Sequence, residues 1–247
     1  MSIAFSPSKS PVYSPIYPLV NGAVFSPSYL ANLALWLDAS DTSTITQSAG
    51  AVSQWDDKSG NDNHAIQATG AKQPTTGLAT INGLNALTLV PNQYMGLTSE
   101  ISGSGYTFFV VSAVNDTGTN KLILTGNSGS PSLQIDGAEQ VDIIRTAQAA
   151  ILSGTTSVST SNASIVAAVT TSGDNRTYID GVLSDSNATD PAYTGGINKI
   201  LANLYNDWGF SGDVGAILIF TRVLTNTEMN QVGNYLADKW GISWTDL

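Results

Sequence analysis

The densest cluster of chemistry-bearing residues is Trp55-Asp-Asp-Lys-Ser-Gly-Asn-Asp-Asn63, followed directly by His64. Carboxylate and amide oxygens at this density suit calcium, which takes six to eight oxygen ligands. The same residues also build Asx turns, in which side chains satisfy the loop's own amides. The self-satisfied loop is the preferred reading; calcium stays open, no cofactor is expected and no metal residue is assigned. His64 is the only histidine and cysteine is absent from the sequence, so a zinc site of the usual kind has no ligands here. His64 could serve as a general base. A structural histidine, hydrogen-bonded beside the Asp57 to Asn63 loop, is preferred.

The elements that must hold this loop read as β. Charged residues make up 11% of the 247, and the chain is rich in turn-forming glycine, a composition that suits short strands and turns. Strands are expected at 33–38, 52–56, 64–67, 86–90, 106–114, 122–125, 133–135, 141–144, 164–170, 176–179, 199–204 and 214–220. Tyr106 to Val114 and Ile165 to Val169 are apolar on both parities, which marks central strands covered on both faces. Asp180-Gly181 is a tight hairpin signal. Near the end, Thr225 with Glu228 three residues on has the spacing of a capping box. Met229, Val232, Leu236 and Trp240 then form one helical stripe, and Gly241 is a left-handed stop. Trp36, Trp55 and Trp240 read as core.

The first twenty-nine residues differ in kind. Five prolines alternate with Phe5, Tyr13, Tyr17, Phe25 and Tyr29. Proline removes amide donors and keeps the backbone extended, while the aromatics supply anchors. The expected organisation is an extended attachment arm over 1–32 and one domain over 33–247.

Nine basic against nineteen acidic residues give a net charge of −10, which repels phosphate backbones, so no nucleic-acid partner is expected. No run of eighteen apolar residues and no basic-then-apolar leader occurs, so neither a membrane span nor a signal peptide is expected.

Several segments together, Leu35-Trp-Leu-Asp-Ala-Ser-Asp41, Val52 to Ala65, Ile81-Asn-Gly-Leu-Asn-Ala86, Thr177-Tyr-Ile-Asp-Gly181 and Phe210 to Arg222 with the helix after it, resemble the laminin-G-like, concanavalin A-like jelly-roll domains, most closely those of bacteriophage virion proteins and bacterial surface proteins. The resemblance covers about Leu33 to Trp244. It implies an all-β jelly-roll sandwich of two antiparallel sheets, with one C-terminal helix and the extended N-terminal arm. Some relatives are glycan hydrolases that use paired carboxylates, usually on a Glu-x-Asp-x-Glu strand. That motif does not occur here; Glu100, Glu139 and Glu228 are far apart in sequence, and Glu228 reads as a cap. Sugar binding by such folds uses exposed aromatics, for which Trp208, Tyr193 and Tyr94 have loop-like surroundings.

The leading expectation is therefore a non-enzymatic virion structural protein, a capsid decoration or tail-associated protein displayed at the particle surface. It would be made in the host cytoplasm, attached to other virion proteins through its arm and homo-oligomeric on the particle. The alternative is a carbohydrate-binding module that reads host surface glycans, with glycan hydrolysis third.

Overall fold

A computed structural model describes residues 19–20, 23–115, 120–145, 150–189, 193–202 and 210–247. The strands are β1 (Leu19–Val20), β2 (Ala23–Val24), β3 (Leu33–Asp38), β4 (Ile45–Ser48), β5 (Ala51–Trp55), β6 (Ala65–Ile66), β7 (Thr75–Ile81), β8 (Leu84–Leu89) and β9 (Met95–Ile101). They continue as β10 (Gly105–Val114), β11 (Lys121–Gly126), β12 (Pro131–Ile135), β13 (Val141–Arg145), β14 (Ala150–Leu152), β15 (Ser164–Thr171), β16 (Asp174–Ile179), β17 (Val182–Asn187), β18 (Ile197–Ile200) and β19 (Gly212–Phe220). One helix, α1 (Asn226–Trp240), follows. The all-β reading with a C-terminal helix holds.

Every pairing among the described strands is antiparallel. β17, β16, β15, β10 and β19 run in that order, and β19 gives its other edge to β3 and β8. β8 pairs with β7, and a single bridge, Ala51 to Thr75, links β7 to β5. From β5 the path continues through β6, β9, β18, β11, β12 and β13 to β14. The sequence suggests two separate sheets; hydrogen bonding among β3 through β19 instead runs through one near-closed, barrel-like network, with β1 and β2 paired apart from it. Side chains draw its two ends together. Thr155 Oγ1 donates to the carbonyl of Ser184 at 2.7 Å, and the Asn187 amide donates to that of Ile151.

Alternation along β10 explains why it is central. Phe108 and Val110 enter one buried cluster with Leu35, Trp55, Leu133 and Ile217. Phe109 and Val111 point the other way, into a second cluster with Trp36 and the helix. Each fully buried side chain of this size contributes roughly 1.5–3 kcal/mol, so both faces of the strand must be covered.

Helix α1 begins and ends as its sequence dictates. Thr225 accepts from the Glu228 amide, the Glu228 carboxylate accepts from the Thr225 amide, and Gly241 takes φ 64° at the C-terminus. Met229, Val232, Leu236 and Trp240 are buried in the second cluster. Arg222 grips Glu228 with two nitrogens, at 2.9 and 2.7 Å, and its Nε donates to the carbonyl of Ala31 at 3.0 Å. The Arg222 guanidinium, with help from Thr225 and against partial desolvation, holds the Glu228 carboxyl down at about 2. Because this folded value lies below the usual 4.5, the stabilisation is complete above pH 4.5 and is lost as pH falls towards 2. Glu228→Gln should cost about 1 kcal/mol at neutral pH and flatten the loss over that window. Thermal melts followed by circular dichroism between those pH values check it; parallel acid profiles for the two proteins would refute it.

Part of the leader docks on the domain. Phe25 is buried in the second cluster, edge-on to Tyr29 and to Tyr235 of the helix, with centroids 6.4 and 6.2 Å away. Tyr29 is exposed. Phe5, Tyr13 and Tyr17 lie outside the described residues.

Candidate functional site

The 56–63 loop closes partly on its own amides and partly on the backbone of β3. Asp57 Oδ1 accepts from the amides of Trp36 and Ser59, both at 2.9 Å, and Oδ2 accepts from the Ser59 hydroxyl and the Asn63 amide. Asn61 and Asn63 donate to the carbonyls of Leu33 and Ala34, both at 2.8 Å. His64 Nδ1 accepts from the Asp57 amide at 3.1 Å, which is the structural role read from its position. Beside the loop, buried Asp38 meets Lys58 at 3.3 Å, Ser40 at 2.7 Å and Lys239 of α1. Burial opposes its charge, but the bonds from Lys239 and Ser40 outweigh it and hold the carboxyl below the usual range. This cluster ties the helix to the sheet. Among the described residues no three His, Asp or Glu side chains form a metal-holding group.

Of the three aromatics singled out by their loop-like surroundings, Tyr193 and Tyr94 are described, and they have different partners. Tyr193 is partly buried against the first cluster and edge-on to Tyr106 at 6.1 Å, with its hydroxyl 2.7 Å from Thr170 Oγ1. Burial pushes this phenol up. Thr170 in turn donates to Asn175 at 2.7 Å, and the Asn175 amide reaches Asn187 and the carbonyl of Thr189. Tyr193 therefore belongs to a polar network in the interior. Tyr94 carries the Lys72 ammonium over its ring, 5.3 Å from the centroid. Trp208 lies outside the described residues.

A solvent-open groove of about 470 Å³ lies elsewhere, where three left-handed turns converge. One is Asn82-Gly83, at φ 48° and 87°, between β7 and β8. The second is Asp180-Gly181, at φ 53° and 81°, between β16 and β17. These are the two-residue hairpin loops that Asn-Gly and Asp-Gly favour, because both central residues need positive φ. Gly241, the helix stop, is the third. The polar lining is Thr80, Asn82, Ser161, Asn162, Asp180 and Ser243, over a floor that includes Ile81, Ala163 and Ile242.

Short hydrogen bonds fix these walls. The Asn82 amide donates to the carbonyls of Trp240 and Gly241 at 2.8 and 3.1 Å. Asp180 Oδ1 accepts from the Ile165 amide at 2.7 Å, and the Asp180 carbonyl accepts from the Thr245 amide at 2.9 Å. Ser159 Oγ accepts from the amides of Ser161 and Asn162, each at 3.1 Å. Burial raises the Asp180 carboxyl, with the Ile165 amide and Ser164 pulling the other way. Neutral donors and acceptors on a partly apolar floor, with one carboxyl, can match the hydroxyls and C–H faces of a saccharide. A second raised carboxyl, Asp142 on β13, is buried, its two oxygens taken by Gln134 at 2.8 Å and by the Gly154 amide at 3.1 Å.

Sequence reasoning missed this groove. Its signals were present as the Asn82-Gly83 and Asp180-Gly181 dipeptides, but a turn signal gives a local backbone path and does not say which turns meet.

No family model and no curated protein matches the chain. Solved structures do. A Trypanosoma rangeli sialidase bound to the inhibitor DANA superposes with TM-score 0.60 at 13% identity over 88% of this chain and 35% of that one. An arabinofuranosidase complexed with arabinofuranosyl-α-1,2-xylobiose gives 0.60 at 14%, over 88% and 61%. Domain 4 of a GH43 extracellular arabinanase from Geobacillus stearothermophilus, solved with arabinotriose, gives 0.60 at 14%, over 82% of this chain and 98% of that one. The chain thus spans about a third of the sialidase and nearly all of the arabinanase domain. At these identities the likeness establishes the all-β fold.

The neighbours correct two expectations. The non-enzymatic virion structural protein is overturned, because these solved structures with the same fold are glycoside hydrolases or a domain of one. The expectation that the chain is not an enzyme falls with it. The first rested on a fold resemblance, the leader's composition and the lack of an export signal, none of which reads the chemistry of a site; the second rested on the missing Glu-x-Asp-x-Glu motif, which a sequence shows only where the carboxylates share one strand.

Proposed function

We propose that this chain is a laminin-G-like, concanavalin A-like jelly roll that engages glycan chains as part of a carbohydrate-active enzyme, with the saccharide held in the groove between the Asn82-Gly83 turn, the Asp180-Gly181 turn and the helix stop. The observation that carries this reading is the groove itself: a mainly polar lining of hydroxyl-matching side chains with a smaller apolar part, on a fold shared with an arabinanase domain solved with arabinotriose. Titration calorimetry of the full chain against arabinotriose, xylo-oligosaccharides and cello-oligosaccharides tests it. Saturable binding with a dissociation constant on the order of micromolar to millimolar is expected, weakened at least about tenfold by Asn162→Ala with Ser243→Ala. Silence across the panel overturns it.

A second reading has one observation behind it. The Asp180 carboxyl, which burial raises from its ordinary value, is the one carboxyl among the described lining residues and the group that glycoside cleavage there would use. Release of reducing ends from polysaccharide, abolished by Asp180→Asn, would establish hydrolysis; binding without release would leave engagement alone.

A further inference from the structure

Resting on the proposal that the groove holds a saccharide, we infer that it selects neutral glycans and rejects those carrying carboxylate or sulfate groups. Three independent features point this way. Among the described residues no Lys, Arg or His belongs to the groove lining, and the one ionisable side chain there is the carboxyl of Asp180. The C-terminus of α1 ends at the same place: Gly241 lines the groove, and the terminal carbonyls of Trp240 and Gly241 meet the Asn82 amide there. The Trp240 carbonyl is among those that carry the negative pole of the helix dipole. The basic residue of the last turn, Lys239, does not offset that pole at the groove, because its ammonium is bonded to Asp38. The third feature is the net charge of −10, which adds a long-range field of the same sign.

An anionic sugar entering here would bring its charge next to the Asp180 carboxyl and the carbonyl end of the helix at Gly241, without a cation among the described lining residues to replace its lost hydration. Neutral hydroxyls face no such penalty. They can donate to the Asp180 carboxyl and the carbonyl oxygens, and accept from the amide and hydroxyl groups of Asn162, Ser161 and Ser243. The Asp180 carboxyl and the dipole end therefore act as a charge filter, and the ligand class is a neutral oligosaccharide of pentoses or hexoses.

The test uses one backbone in two charge states. Galacturonan oligomers and their fully methyl-esterified form differ only in charge and a methyl cap, and both are titrated into the full chain beside neutral arabinan and xylan oligomers. Expected is at least about a tenfold preference for the ester over the free acid at low salt, shrinking as ionic strength screens the field. Asn162→Lys and Ser243→Lys, both at exposed positions, should narrow or reverse that preference. Asp180→Asn, which keeps the left-handed turn and its Oδ1 acceptor, should narrow it as well. Thermal melts confirm that each variant is folded. Equal or tighter binding of the free acid overturns charge selection while leaving glycan binding standing. A preference untouched in all three variants overturns the assignment to this groove. Failure of every sugar to bind overturns the underlying function and this inference together.

Discussion

Trp240→Ala should lower the free energy of unfolding by about 3–5 kcal/mol, the range for emptying a buried site of this size. The indole is fully buried in the second cluster. It sits on β19 at Gly215, where an added Cβ would lie 2.8–3.0 Å from three ring atoms. Glycine there is what lets the ring approach the strand, so the cavity left by alanine cannot be filled from below. Helix α1 gains little from its own propensity at fifteen residues and depends on this docking. Chemical denaturation measures the loss. A drop below about 1 kcal/mol would mean that the helix is not seated as described. Gly215→Val offers the converse test, because it displaces the ring while keeping tryptophan in the sequence, and should destabilise by a comparable amount.

Gly181→Val is the second large effect, and it should separate function from folding. Gly181 has φ 81°, and an added Cβ would stand 1.9 Å from the carbonyl oxygen of Thr245 and 2.7 Å from its nitrogen. Strain of about 1–3 kcal/mol at the turn adds to a backbone collision that side-chain movement cannot relieve. The segment after the helix must swing away. It is held by the Thr245 amide on the Asp180 carbonyl, by Trp244 lying over Gly233 and by the Leu247 amide on Asn230. Since Ile242 and Ser243 are one wall of the groove, saccharide affinity should fall at least about tenfold. The first cluster, which contains no residue of that segment, should keep the β framework folded. Calorimetry for binding and near-ultraviolet circular dichroism for packing read the two effects apart. Unchanged affinity in a folded Gly181→Val protein would remove the groove from consideration.

The strands legible in the sequence are those with a dry face. β3, β10, β15 and β19 carry apolar residues wherever they meet a cluster, and their alternation is visible without coordinates. β4, β7 and β9 were not expected, because most of their residues are exposed or half-exposed: Ile45-Thr-Gln-Ser48 and Thr75-Thr-Gly-Leu-Ala-Thr80 have no apolar period. Their strand conformation comes from partners, β5 for the first, β8 for the second, and β6 with β18 for the third.

Local chemistry alone determined the helix from its capping box to Gly241, the Asp180-Gly181 hairpin, the burial of Trp36, Trp55 and Trp240, and the turn of Asp57 onto Ser59 and Asn63. Each depends on residues a few positions apart or on one residue's solvation, and such interactions are written in the order of the chain. Only the tertiary structure decided that the strands form one near-closed network and that Tyr193 is tied into an interior polar chain. It alone brought Asn82, Asn162, Asp180 and Ser243 to one groove. Those four residues span more than 160 positions, and their meeting depends on strand register and on where the helix docks, which are properties of the packed whole.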